Sequence, residues 1–191
     1  MENSIKRYVR ELYKWNKKIN LTGILDEKEF LQKIIDENLK VLDLLKINER
    51  RKLVDVGAGN GNLSILMALK FEKNMTYAVE KNGKKCAFLR KMKRILNLSN
   101  LEIIEEKIEN ISFPEKENLL FFMRGIEFNN LDMEKIMKKF SNSLFLFLIG
   151  EKSRGNKKIT NINFPLNFET NYIELDNRRL LIVTGKKIDI L

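Results

Sequence analysis

Histidine is absent from the 191-residue chain. A Ser-His-Asp triad, a His-containing metal site and an imidazole proton shuttle are therefore excluded. The one cysteine, Cys86, can form no internal disulfide and fits a reducing cytoplasm. No apolar run reaches the roughly 20 residues needed to cross a bilayer. Met1-Glu2-Asn3-Ser4 leads into a charged amphipathic stretch with no apolar core, so no secretory leader is expected there. The expectation is a cytoplasmic monomer with neither a membrane nor a metal partner.

Acidic residues are also outnumbered. Lys and Arg total 36 against 26 Asp and Glu, a formal net charge of +10. Such a field attracts polyanions, nucleic acid first among them. Codon bias in an AT-rich genome would raise the same average with no partner behind it, so the distribution of charge matters more than its total. With 43% hydrophobic residues, the chain suits one compact domain able to bury a proper core.

Apolar periodicity alternates between helix-like and strand-like, the pattern of an α/β domain. Residues 4–18 read as a helix through Ile5, Tyr8, Leu12, Trp15 and Ile19. Asp26 can cap a second helix running to about Leu45. Strands are expected at 52–56, 75–80, 101–105, 119–124 and 144–150, with helices at 63–71, 84–96 and 132–140. A polar loop over 151–167 holds Pro165. A closing hairpin then joins 171–175 to 179–184 through Asp176-Asn177. Strands separated by such helices demand right-handed crossovers and a mostly parallel sheet of seven strands covered on both faces. Residues 1–50 read as a helical cap on a Rossmann-like core over 51–191, the whole forming one domain.

Asp55-Val56-Gly57-Ala58-Gly59-Asn60-Gly61 falls between the first strand and a helix. Here the backbone must turn sharply and approach something bound outside the carboxyl end of the sheet, and residues without Cβ permit both. The spacing Gly-x-Gly-x-Gly differs by one residue from the dinucleotide fingerprint, which counts against NAD and for S-adenosylmethionine. Glu80 ends the second strand, where a carboxylate can accept hydrogen bonds from both hydroxyls of an adenosine ribose. Asp55, Gly57, Gly59, Gly61 and Glu80 thus form a candidate nucleoside-cofactor site. The competing reading is a plain strand–helix turn.

Several further elements carry a family resemblance. They are Trp15-Asn16 with Asn20-Leu21-Thr22, the run Val54–Gly61, Glu80 with Lys84 and Phe88-Leu89, Lys107-Ile108-Glu109, Arg124 closing the fourth strand, and Arg179–Val183. In these the chain resembles the bacterial small-subunit ribosomal RNA guanine-N-7 methyltransferases, the glucose-inhibited division protein B family. The likeness covers nearly the whole chain and implies a class I methyltransferase fold using S-adenosylmethionine. By resemblance, Gly57 and Asn62 line the methionine and ribose side of the cofactor, and Ile108 and Glu109 flank the adenine. Arg124 reaches the cofactor or the target base and is the candidate catalytic residue. The bland alternatives are a core Ile108, a solvated Glu109 and an ion-paired Arg124.

The chain also departs from the family. Asn62-Leu63-Ser64-Ile65-Leu66 stands where Phe-Pro-Gly-Ile-Pro is usual, and Lys33 where a histidine is usual. Leu119 replaces an aspartate, Met123-Arg124-Gly125 replaces Ser-Arg-Ala, and Ile149-Gly150 replaces Lys-Gly. These changes lie near the active face and bear on substrate and turnover more than on fold.

The implied chemistry suits a protein without histidine, because guanine N-7 keeps an in-plane lone pair in the neutral base. No proton must leave, so catalysis is mainly alignment. Reaching the base requires an unstacked nucleotide, a cost that phosphate contacts can offset. Lys81, Lys84, Lys85, Arg90, Lys91, Lys93 and Arg94 make a stretch with no acidic residue. It reads either as a phosphate-binding helix flanking the cofactor cleft or as a solvated face. Lys152, Arg154, Lys157 and Lys158 form a second basic cluster after the fifth strand. Ribosomal RNA or the small ribosomal subunit is the expected partner. The alternatives are a catalytically weak RNA-binding relative, or a methyltransferase for another RNA or a small molecule.

Overall fold

The structure, a computed structural model, describes residues 1–113, 118–124, 130–150, 169–175 and 178–184. It comprises two compact units, Met1–Glu106 and Lys107–Asp189. Residues 1–50, expected as a cap, fall in the same unit as the first three strands.

In the first unit, α1 (Glu2–Asn16) buries Ile5, Tyr8, Val9 and Leu12, whose three-to-four spacing puts them on one face. Asp26 caps α2 (Glu27–Phe30) by accepting a hydrogen bond from the Glu29 amide at 2.7 Å. The single helix expected from Asp26 to Leu45 is not regular. A π-helical turn, Leu31–Ile35, joins α2 to α3 (Asp36–Asp43). The apolar spacing explains the widening. Phe30 and Ile35 are both buried yet five residues apart, which on a regular helix would set them about 140° apart. A turn with i→i+5 bonding returns both to the core side.

Strands β1 (Lys52–Val56), β2 (Thr76–Val79) and β3 (Leu101–Ile104) alternate with α4 (Ser64–Lys70) and α5 (Gly83–Ile95). They pair in parallel in the order β3-β2-β1, with Asp55 opposite Ala78 and Thr76 opposite Leu101. Leu53, Val54 and Ala78 are fully buried, as parallel strands enclosed on both faces require. Phe88 and Leu89 of α5 are likewise enclosed, and Tyr8 and Trp15 of α1 stack near Phe88 with centroids 6.3 and 5.6 Å away.

In the second unit, a 3₁₀ turn (Ile108–Asn110) precedes β4 (Leu119–Arg124), α6 (Asn130–Lys139), β5 (Leu144–Gly150), β6 (Glu169–Leu175) and β7 (Arg178–Thr184). β4 and β5 run parallel with Phe121 opposite Phe145. β7 then pairs antiparallel with both β5 and β6, closing the unit as the expected hairpin. The Phe121 and Phe145 rings stack at 5.0 Å, with Phe140 and Phe113 packed around Phe121. The α/β class is the one the periodicity predicts, and the described residues hold seven strands in all.

Candidate functional site

The glycine loop adopts a conformation that its composition makes possible. Gly57, Gly59 and Gly61 have φ of 67°, 60° and 79°, all in the left-handed region that a Cβ disfavours. Gly61 is also packed tightly, since a Cβ there would meet the Leu89 side chain and lie 3.1 Å from Ile65 Cδ1. Gly59 is different. A Cβ there would meet only the Gly57 carbonyl oxygen, at 3.7 Å, so the loop is open on that side. Gly57 is exposed.

Two carboxylates grip this loop. Asp55, buried at the end of β1, accepts a hydrogen bond from the Ser64 amide at 2.9 Å, anchoring the first residue of α4. Glu80, buried just after β2, accepts one from the Gly59 amide at 3.0 Å on Oε2 and another from the Asn82 amide at 2.8 Å on Oε1. An ionised carboxylate has about four lone-pair sites, so each oxygen retains capacity for another donor. Asp55 and Glu80 thus hold the segment that carries Gly57, Gly59 and Gly61.

Asn62 belongs to the same loop. Its Oδ1 accepts from Asn38 Nδ2 on α3 at 3.2 Å, and its amide donates to Asn60 Oδ1 at 3.0 Å. Asn60 itself was not singled out by the sequence reading, yet it ties the loop to the N-terminal segment. Its Nδ2 donates to the Leu21 carbonyl at 3.1 Å, and its own carbonyl accepts from the Tyr8 hydroxyl at 3.1 Å. Burial, with a smaller push from the Asp55 charge, raises the Tyr8 pKa well above its ordinary value, so the phenol remains a donor.

The Trp15-Asn16 and Asn20-Leu21-Thr22 elements now gain a physical role. Asn16 Oδ1 accepts from the Leu21 and Thr22 amides at 2.7 and 2.9 Å, and Asn16 Nδ2 donates to the Thr22 carbonyl at 2.9 Å. This three-bond brace shapes the segment whose Leu21 carbonyl receives Asn60. Asn16→Ala removes all three bonds and leaves two half-buried amides without their acceptor. The expected cost is about 1–3 kcal/mol, with accelerated amide exchange at Leu21 and Thr22 in an NMR experiment. Unchanged exchange at both positions would contradict the brace.

α5 begins at Asn82, whose Oδ1 caps the Lys84 and Lys85 amides at 3.0 and 3.2 Å. Lys84, Arg90 and Arg94 are exposed, and Lys85, Lys91 and Lys93 half-buried. Arg90 pairs with Glu105 at 2.8 Å, while Lys91 pairs with Glu11 at 3.1 Å and lies 5.3 Å above the Trp15 ring. An exposed pair such as Arg90–Glu105 contributes about 0–1 kcal/mol, so a phosphate can take the place of that carboxylate at little cost. Cys86, buried in the same helix, has its thiol pKa pushed up by burial to about 11 and is not a poised nucleophile.

The remaining candidates lie in the second unit. Ile108 is buried and Glu109 exposed, in the 3₁₀ turn whose Glu109 carbonyl accepts from Lys139 Nζ at 2.6 Å. Arg124 is half-buried at the carboxyl end of β4, and Met123 before it is buried. Lys33, at the departure in the second helical segment, pairs with Glu29 at 2.7 Å. Lys152, Arg154, Lys157 and Lys158 lie outside the described residues. Among the described residues, no group of three acidic or sulfur side chains is placed to hold a metal ion, and no helix is long and apolar enough to cross a membrane.

A glycine loop after the first strand, with an acidic residue ending the next, on an α/β frame closed by an antiparallel hairpin, defines a Rossmann-like fold of the methyltransferase type. The fold is shared with a solved mutant of MtNAS in complex with S-adenosylmethionine, at a TM-score of 0.66 and 10% identity, over 96% of this chain and 75% of that one. A family model described as GidB, rRNA small subunit methyltransferase G, matches residues 1–174. The chain belongs to that family. It is 29% identical over 184 residues to the ribosomal RNA small subunit methyltransferase G of Francisella tularensis subsp. novicida (strain U112), covering 95% of this chain and 86% of the relative. The protein of the same name from Pseudomonas entomophila (strain L48) is 33% identical over 109 residues, 57% of this chain and 50% of the relative. In matches of that second kind the chain spans about half the length of the curated relative.

Proposed function

We propose that the chain is an S-adenosylmethionine-dependent methyltransferase acting on guanine N-7 in small-subunit ribosomal RNA. Action in the cytoplasm, as a monomer, belongs to the same proposal. The observation that carries it is the buried Glu80 carboxylate, held by the Gly59 and Asn82 amides beside a loop left open at Gly59. These residues fit an adenosine. Both Glu80 oxygens can take a second donor, as two ribose hydroxyls would supply, and the missing Cβ at Gly59 leaves room for close approach.

When bound, S-adenosylmethionine supplies an electrophilic methyl on a positively charged sulfur. Gly57 and Asn62 take the methionine and ribose side. Ile108, Glu109 and Arg124, in the second unit, keep the roles that the family resemblance implies, Arg124 as the candidate catalytic group. Guanine N-7 would accept that methyl on its in-plane lone pair, with the carbon–sulfur electrons leaving on sulfur. No proton moves, so a chain without histidine lacks nothing the step needs, and the residues contribute by holding three atoms in line. Lys84, Lys85, Arg90, Lys91 and Arg94, with Lys152 and Arg154, contact the RNA backbone.

Purified protein, cofactor with a labelled methyl group and either small subunits or free 16S ribosomal RNA test the reading. Labelled RNA that yields 7-methylguanosine on digestion is the expected result. Binding of RNA without any transfer would leave a catalytically weak relative, and transfer to small molecules at a rate indifferent to salt would remove the RNA assignment.

A further inference from the structure

The outer side of α1 carries Arg7, Arg10 and Lys14, and Lys17 and Lys18 follow in the turn that ends the helix; all five are exposed. The opposite side buries Ile5, Tyr8, Val9 and Leu12, so Arg7, Arg10 and Lys14 share the solvent side over about 10 Å of helix axis, and the two lysines of the closing turn extend the basic stretch. We propose that this ridge is a phosphate rail that docks ribosomal RNA, in addition to the basic face of α5. The inference rests on the methyltransferase reading for its choice of RNA.

Three observations separate the rail from an ordinary solvated face. The first is its single sign. A solvated helix interleaves charges, whereas here the acidic residues of α1 are already neutralised at the margins, Glu2 by Lys6 and Glu11 by both Lys14 and Lys91. Lys14 before Lys91 holds the Glu11 carboxyl below its ordinary pKa, so it stays ionised. Among the described residues, no carboxylate pairs with Arg7, Arg10, Lys17 or Lys18.

The second is that this arrangement works against the helix. Within the helix, Arg7 with Arg10 and Arg10 with Lys14 are like-charge neighbours at three or four residues, each destabilising an isolated helix by about 0.2–0.5 kcal/mol. A bound polyanion would reverse that sign.

The third is connection. Glu11 bridges Lys14 to Lys91, so the ridge joins the cationic side of α5 through one shared carboxylate. The inner side of the same helix holds the glycine loop through the Tyr8–Asn60 bond and the Asn16 brace. RNA seated on the outer side of α1 is thereby held in register with the loop that Glu80 grips.

The test compares the wild-type chain with the quadruple variant Arg7→Gln, Arg10→Gln, Lys17→Gln and Lys18→Gln, which spares every ion-paired residue and keeps good helix formers. Binding to transcribed 16S ribosomal RNA and to small subunits is measured across a salt series. The slope of log affinity against log salt is expected to become shallower by about three, and affinity at 0.1 M salt to fall roughly tenfold or more. Calorimetric binding of S-adenosylmethionine and circular dichroism are expected to match wild type. An unchanged salt slope with intact folding overturns the rail, including the case in which only binding to anionic vesicles is lost. Binding is read without turnover, so failure of the wild type to transfer methyl would overturn the enzyme reading and leave the rail's own result standing.

Discussion

Gly61→Ala is expected to lower the melting temperature by about 10 °C while leaving the secondary structure recognisable. Two costs combine. The residue has φ of 79°, where a Cβ costs about 1–2 kcal/mol. The added carbon also meets the Leu89 side chain and sits 3.1 Å from Ile65 Cδ1. Leu89 and Ile65 are fully buried, so neither can swing into solvent, and overpacking of this kind costs about 1–3 kcal/mol. The sum is roughly 2–5 kcal/mol, and about 2–4 °C accompany each kcal/mol in a chain of this size. Gly59→Ala is the internal control. Its φ of 60° carries the same conformational cost, but its Cβ would meet nothing closer than 3.7 Å. Thermal melts should therefore rank Gly61→Ala well below Gly59→Ala. Equal melting temperatures would show that packing under Gly61 contributes nothing.

That contrast marks how far the sequence could be read. Three glycines after a strand announce a tight loop, because only residues without Cβ occupy such dihedral angles freely. They do not announce which glycine faces open space and which is pressed against α5, since that depends on Leu89 and Ile65 arriving from elsewhere in the chain. Strands 119–124 and 144–150 were legible to the residue because each is a short, nearly unbroken apolar run. The π-helical turn was not. Phe30 and Ile35 each fit a helical stripe with other partners, and only their joint burial reveals the wider turn.

The same limit applies to the site. The Trp15-Asn16 and Asn20-Leu21-Thr22 elements stood out, but a pattern cannot say whether it binds a ligand or shapes a loop. Asn16 spends its amide on Leu21 and Thr22, and the next link, Asn60, passes that order to the glycine loop. An asparagine between two glycines could have drawn notice as a side chain able to bond its own backbone neighbourhood, and it does bond the Asn62 amide. Its reach to Leu21, 39 residues earlier, had no local signature. The α1 ridge was hidden for another reason. Its cations are spread through the first eighteen residues among apolar and acidic ones, and they separate only when the helix turns one side inward.

Glu80→Ala is expected to weaken S-adenosylmethionine binding by about 100-fold, the largest effect on affinity from any single side chain of the loop. Hydrogen bonds to a charged group contribute about 1.5–3 kcal/mol each, and losing the acceptor for two ribose hydroxyls removes roughly 3 kcal/mol, or two decades in Kd. The carboxylate also sets the shape of what it grips. It receives the Gly59 amide at 3.0 Å and the Asn82 amide at 2.8 Å, and Asn82 in turn caps α5 through Lys84 and Lys85. Removing it therefore loosens the loop and the start of the basic helix together. Glu80→Gln separates the two roles, because its carbonyl oxygen can still accept one amide while its NH₂ group cannot accept from a hydroxyl. Calorimetry should place that variant between wild type and Glu80→Ala, with a melting temperature nearer wild type. If both variants bind the cofactor as tightly as the wild type, the carboxylate is a loop fastener alone, and the ribose must be held elsewhere.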